Sequence, residues 1–182
     1  MSKIYVDEIL PKDNATVDGS KLSAVPASAI SALNSSALPT GTIIQHLVDV
    51  YTTEVSSTSL NSFITTNEIA ITPSSTTSKL YILAVANGLD NGGEGRIEGR
   101  IKYDTSSGGT GGTTHSYFQV SKNSGGTNGI QSGTLVGYYT PGTTNTQYIK
   151  FMFQKHDTAS STWYVNRYTA NFTTLTVMEI AG

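Results

Sequence analysis

The sequence predicts an all-β fold: a two-sheet sandwich, with the jelly roll as one of its forms, preceded by an extended N-terminal arm. Three observations lead there. First, 22 Ser, 27 Thr and 18 Gly make up more than a third of the 182 residues, and only 13% are charged. A helical bundle needs Ala, Glu, Lys and Leu at helical periods, which this composition does not favour. Second, hydrophobic residues reach 37%, with 10 Tyr and 5 Phe. That is too much apolar matter for a disordered Ser/Thr linker. Third, beyond residue 40, short runs rich in Ile, Val, Tyr and Phe recur between clusters of Gly, Pro, Asn and Ser. That spacing is the layout of strands joined by turns.

The arm is residues 1–40. Lys3 to Ile9 alternate in the strand period, with Ile4 and Val6 on one side and Tyr5 and Asp7 on the other. Pro11, Asp13, Asn14 and Gly19 then break the chain. Residues 20–38 are small and polar. Pro26 suits a first helical position, so a short helix over 26–33 would place Ala29, Ile30 and Leu33 on one face. So few large apolar groups do not offset an ordering cost of roughly 1–2 kcal/mol per residue. The arm is therefore a flexible tail or a segment ordered against another chain. The strand pattern at its start favours the second, with Ile4, Tyr5, Val6 and Ile9 as the docking residues.

The domain is residues 41–182. Strands are expected over 42–51, 62–72 and 79–86. The last is a continuous apolar run, Leu80 to Ala86, the mark of a strand covered on both faces. Over 96–103, Ile97, Gly99, Ile101 and Tyr103 alternate with Glu98, Arg100 and Lys102. A Gly/Ser/Thr loop near 105–114 leads to an aromatic strand over 115–121. Strands over 134–139 and 146–156 follow. The second places Ile149, Phe151 and Phe153 on one face and Tyr148, Lys150, Met152 and Gln154 on the other. Strands over 162–169 and 172–180 complete a set of eight or nine, enough for a sandwich.

Several kinds of chemistry are disfavoured. The formal net charge is −2, and 8 Lys and 3 Arg are scattered, so no basic stripe marks a nucleic-acid site. No apolar run approaches the roughly 18 residues of a membrane span, and the charged N-terminus is unlike a secretory signal. Without Cys there is no disulfide and no thiolate ligand. His46, His115 and His156 lie apart, so no metal or cofactor site is expected. Asp90, Glu94, Glu98 and Asp104 flank one strand. They read as solvated rim charges rather than the facing pair of a glycosidase. No catalytic residue is assigned. Adjacent aromatics pose a choice, because only one of Tyr138 and Tyr139, and one of Trp163 and Tyr164, can face the core of a regular strand. The exposed members would suit sugar stacking or a subunit contact; filling the core is the plain alternative.

Two segments carry a resemblance. The opening Met1-Ser2-Lys3-Ile4-Tyr5-Val6-Asp7-Glu8-Ile9, followed by Pro11-Lys12, resembles the start of small virion proteins of tailed bacteriophages, marine and cyanobacterial ones especially. The second comprises Pro39-Thr40-Gly41-Thr42-Ile43-Ile44-Gln45, then Ile69 to Leu83, and Thr174 to Ile180. It is similar to the C-terminal β-domain of phage tail-fibre-like proteins. The resemblance implies a homotrimeric, non-enzymatic virion component, assembled in the host cytoplasm. Its arm would attach to other virion proteins, the portal, tail or major capsid protein, and its β-domain would project outward. Host-surface glycan contact as a tail fibre or short appendage, or capsid decoration, would follow. The chain has no long repetitive shaft, which departs from a full fibre. A free carbohydrate-binding module and a depolymerase built on Glu94 and Glu98 are the readings from other classes.

Overall fold

A computed structural model describes residues 38–92, 95–122, 130–156, 162–168 and 170–182. All belong to one compact unit, Ser35–Gly182. The arm's docking residues Ile4, Tyr5, Val6 and Ile9 and the helix expected over 26–33 lie outside the described residues, as does Glu94.

Among the described residues there are ten strands: β1 (Ile43–Tyr51), β2 (Val55–Ser57), β3 (Ile64–Ile71), β4 (Lys79–Leu89), β5 (Gly95–Asp104), β6 (Thr113–Lys122), β7 (Gln131–Tyr139), β8 (Gln147–His156), β9 (Trp163–Val165) and β10 (Thr173–Ile180). Every ladder between them is antiparallel. One four-stranded sheet has the order β1-β10-β4-β7, the other β3-β8-β5-β6, and β2 pairs only with β9. Without β2 and β9, the chain crosses between the two large sheets at every connection but β5–β6. That is the winding of a jelly roll, two Greek keys in two sheets.

The strand alternation sets the core. In β4, Leu80, Ile82, Ala84 and Ala86 are buried, and in β10 Leu175 and Val177. They meet Ile97 and Ile101 of β5 and Ile149, Phe151 and Phe153 of β8. The rings of Phe151 and Phe153 lie 4.5 Å apart, with Phe118 edge-on to both at 6.3 Å. Phe118 reaches between the sheets because glycines face it. A Cβ built on Gly133 would come within 2.3 Å of its ring, and one on Gly99 within 2.6 Å.

Both long sides of the sandwich are stitched shut. On one, Asn67 of β3 donates to the Asp49 backbone oxygen (3.2 Å) and carboxylate (3.1 Å) on β1. The Asn67 side-chain oxygen accepts from Thr173 of β10 at 2.7 Å. On the other, the Tyr138 amide of β7 donates to His115 Nε2 of β6 at 3.0 Å. Buried polar groups therefore find partners across the sheet edges, as burial demands.

Two expectations are corrected. The apolar run of β4 is covered on one face only, since Tyr81, Leu83 and Val85 point outward and are half-buried. The strand buried on both faces is β8, where Lys150 and Gln154 are buried opposite the core. Hydropathy alone cannot separate these cases, because loops supply the second cover of β8. The strand expected over 162–169 lasts three residues. Asn166, Tyr168 and Ala170 follow at φ of 58°, 72° and 77°, a left-handed backbone that ends a strand.

Candidate functional site

The two outer faces of the sandwich differ in chemistry. On the β3-β8-β5-β6 sheet, Glu98, Arg100, Lys102 and Asp104 project from β5, Lys150 from β8 and Glu68 from β3. This ionic surface is roofed by residues 105–112. Lys150 Nζ, fully buried, bonds the Asp104 carboxylate (3.0 Å) and the Gly108 carbonyl (2.6 Å). Lys102 Nζ bonds the Thr110 carbonyl at 2.9 Å. Glu68 accepts from the Ser107 hydroxyl (2.7 Å) and the Gly108 amide (2.8 Å). The ring of Phe63 lies under Arg100 and Lys102, at 4.9 and 4.6 Å.

The carboxylates here are pinned rather than poised. Glu98 accepts from Arg100 Nε, from Gln119 at 3.0 Å, and has His156 Nε2 at 3.1 Å. Burial pushes its pKa up, but the hydrogen bonds and neighbouring positive charges win and hold it below the usual carboxylate value. Lys150 holds Asp104 down through its hydrogen bond. Burial, then the charges of Arg100 and Lys150, lowers Lys102 against the pull of Asp104. At one end of the sandwich Asp90 is buried and paired with Arg167. The expectation of solvated rim charges is thus corrected for Asp90 and Glu98: both are buried because they bind an arginine. Among the described residues no group of three His, Asp or Glu side chains is placed to hold a metal ion.

A cleft of about 200 Å³ opens between Tyr103, Asp104, Thr105, Gly112, Thr113, Tyr139 and Gln147. Three of its polar side chains, Tyr139, Gln147 and Asp104, already have partners. Tyr139 donates its hydroxyl proton to Gln147 at 3.3 Å, and Asp104 accepts from Lys150 and the Thr105 and Ser106 amides. Small-molecule sites usually measure about 300–1,000 Å³.

The four candidate surface aromatics do not converge. Tyr138 is 52% exposed on the outer face of β7, with Lys79 Nζ 5.9 Å from its ring. Tyr139 turns inward and stacks on Tyr103 at 4.1 Å. Trp163 is a correction. It is fully buried, with Nε1 donating to the Ser59 carbonyl at 3.3 Å, and offers no surface. Tyr164 is half-buried under the Arg167 guanidinium, 4.1 Å from its ring. Tyr138 and Tyr139 belong to one sheet and Trp163 and Tyr164 to another, which no adjacency rule could reveal.

The outer face of β1-β10-β4-β7 is the opposite of the ionic one, and no single strand announces it. Its central row runs Val48, Thr176, Leu83 and Val136 across the four strands. On one side lies Val50, Thr174, Val85 and Thr134; on the other, His46, Met178, Tyr81 and Tyr138. None of these twelve is Asp, Glu, Lys or Arg. Val48 and Val136 are both 54% exposed. Contiguous apolar patches of this kind mark interaction sites.

No protein family and no curated protein matches the sequence. Solved structures that the chain is similar to include the VP2 subviral particle of infectious bursal disease virus (TM-score 0.43, 16% identity, covering 77% of this chain and 34% of that one). The Gx strain of that virus follows (0.37, 15%, 77% and 38%). So does its Gt strain (0.33, 19%, 77% and 39%). The chain spans little more than a third of the length of each.

Proposed function

We propose that this chain is a non-enzymatic structural component of a virion. In finer terms it is a homotrimeric, tail-fibre-like or short appendage protein of a tailed bacteriophage. The arm, residues 1–40, anchors it to the portal, tail or major capsid protein. The β-domain projects outward to touch host-surface glycan. Capsid decoration is the alternative use of the same parts.

The observation that carries this reading is the exposed face of β1-β10-β4-β7, whose twelve residues above include no Asp, Glu, Lys or Arg. Such a face is stabilised by burial against protein. It offers no donor cluster for phosphate and no paired carboxylates for hydrolysis. The buried Asp90, Glu98 and Glu179 support a structural role too, because their lone pairs are committed to neighbours within the fold. The two phage-like sequence segments point the same way.

Gold-labelled antibodies against residues 38–182 test the reading on purified phage particles from the source of the sequence. Label on the tail supports the appendage, and label spread over the head supports decoration. Particles that carry no label, and whose proteome lacks this chain, refute the virion assignment.

A further inference from the structure

We propose that Lys150 and Asp104 join in an isopeptide bond after the chain folds, a covalent tie between β8 and the end of β5 on the outer face of β3-β8-β5-β6. It stands apart from the virion reading and rests on the geometry of three side chains.

Three neighbouring strands bring those side chains together. Glu68 of β3 is directly opposite Lys150 of β8. Asp104 of β5 is opposite Tyr148, one diagonal step from Lys150 on the same face. Lys150 Nζ lies 3.0 Å from the Asp104 carboxylate and 3.9 Å from that of Glu68. The lysine side chain is wholly shielded from solvent. The roof over it is close: a Cβ built on Gly111 would come within 3.1 Å of Asp104 Oδ2. Amine and carboxyl are therefore held in contact, which turns a condensation between two molecules into a step within one.

The surrounding groups suit acyl transfer. Asp104 Oδ1 accepts from the Thr105 amide at 2.7 Å and the Ser106 amide at 3.2 Å. Two donors are thus in place where negative charge develops on a carboxyl under attack. The Ser107 hydroxyl and the Gly108 amide fix Glu68 beside the amine, where a carboxylate can carry a proton. The reaction starts from the ion pair. The ammonium passes a proton to Oδ2, which leaves a neutral amine and a carboxylic acid. The Nζ lone pair attacks Cγ, and Oδ1 takes the negative charge. Glu68 accepts a proton from Nζ and returns it to the Oδ2 hydroxyl, which departs as water when the Cγ–Oδ2 bond breaks. Both charges of the pair are consumed, Glu68 is regenerated, and no oxidant or reductant is needed. The remaining amide N–H keeps the bond to the Gly108 carbonyl, 2.6 Å from Nζ. Because Lys150 holds the Asp104 carboxyl below its ordinary range, the neutral pair is a minor form and the step is slow; each chain needs it once.

Other buried carboxylates face the wrong chemistry for this. Glu98 and Asp90 pair with Arg100 and Arg167, whose guanidinium groups stay protonated and are not nucleophiles. The chain has no Cys, so a disulfide cannot serve as its covalent staple. The two joined residues are 46 apart in sequence, and closing that loop restricts the unfolded chain as a disulfide would.

The test is the intact mass of the full chain, followed during incubation at neutral pH after purification. Wild type should fall below its sequence mass by one water, and its tryptic digest should contain a branched species joining the peptides of Asp104 and Lys150. Lys150→Arg keeps the cation and should stay at its sequence mass. Wild type should run ahead of it in a denaturing gel, because the loop stays closed. Glu68→Gln should form the bond at least about tenfold more slowly. A wild type still at its sequence mass after weeks overturns the proposal. So does a loss of water that Lys150→Arg shares, which would mark a ring closed on an aspartate instead. Glu68→Gln reacting at the wild-type rate overturns the part given to Glu68.

Discussion

Replacing Glu179 by glutamine removes one charge from the closed end of the sandwich and tests how that end is held. Glu179 is fully buried on the inner side of β10. One oxygen accepts from the Ser74 amide and hydroxyl, each at 2.6 Å, and the other from Gln45 Nε2 at 2.6 Å. The carboxylate thus pins the β3–β4 connection to β10. An amide cannot reproduce this. If its oxygen keeps the two Ser74 bonds, its NH₂ faces the Gln45 NH₂. Flipping Gln45 turns its oxygen toward the Thr72 carbonyl, to which Gln45 Nε2 now donates at 2.9 Å. No arrangement satisfies every group. Two charge-assisted bonds become neutral, at about 1 kcal/mol each, and one buried donor loses its partner at about 1–3 kcal/mol. The expected cost is about 3–5 kcal/mol, or about 10–15 °C in Tm for a domain of this size. Urea unfolding of both proteins at equal concentration reads it. The pH dependence supplies a second arm. Burial raises the Glu179 pKa, but the bonds from Ser74 and Gln45 prevail and place it below the ordinary 4.5. A depressed folded pKa stabilises above the unfolded value and loses that stabilisation as pH falls through the folded one. The gap between wild type and Glu179→Gln should hold at pH 7 and shrink below about pH 4. A gap under 1 kcal/mol at pH 7, or one unchanged at pH 3, refutes the reasoning.

Other expectations follow from single contacts. Gly133→Ala drives a methyl into the Phe118 ring and should cost about 1–3 kcal/mol in urea unfolding, with Phe118→Leu in the same chain restoring part of it. No recovery in the double variant would mean the clash lies elsewhere. Lys150→Met removes one partner of a buried ion pair and should cost up to about 3–5 kcal/mol, because the Asp104 carboxylate and the Gly108 carbonyl lose their cation. Amide exchange over 105–112 should rise, because the Asp104 and Gly108 bonds are gone; unchanged exchange counts against the roof being held by Lys150. Trp163 is the sole tryptophan, so its fluorescence is unambiguous. Emission should be blue-shifted in the native protein, shielded from acrylamide and unmoved by added glycans, and quenching at the rate of free tryptophan would contradict its burial.

Strand positions were largely legible because each strand writes its own period. The alternation at Ile97 to Tyr103 and at Ile149 to Phe153 names the core faces of β5 and β8 directly. Three-residue β2 was missed, since Val55-Ser56-Ser57 is too short to show a period. The charged positions were misread for a related reason. Asp90 and Glu98 look like rim residues along the chain, yet each meets an arginine that only folding brings to it.

What the sequence determined by itself is local: the all-β class, where the long strands lie, and which side of each is apolar. These depend on residues two or four apart, which the chain holds in fixed relation. What the tertiary structure decided is which faces meet. Trp163 is core and Tyr138 surface although both sit in adjacent aromatic pairs, because β9 packs inward and the outer side of β7 belongs to an exposed face. Val48, Thr176, Leu83 and Val136 are scattered over nearly 130 residues of chain and become one row only through the register of three antiparallel ladders. A face assembled from four distant strands has no signature in any one of them.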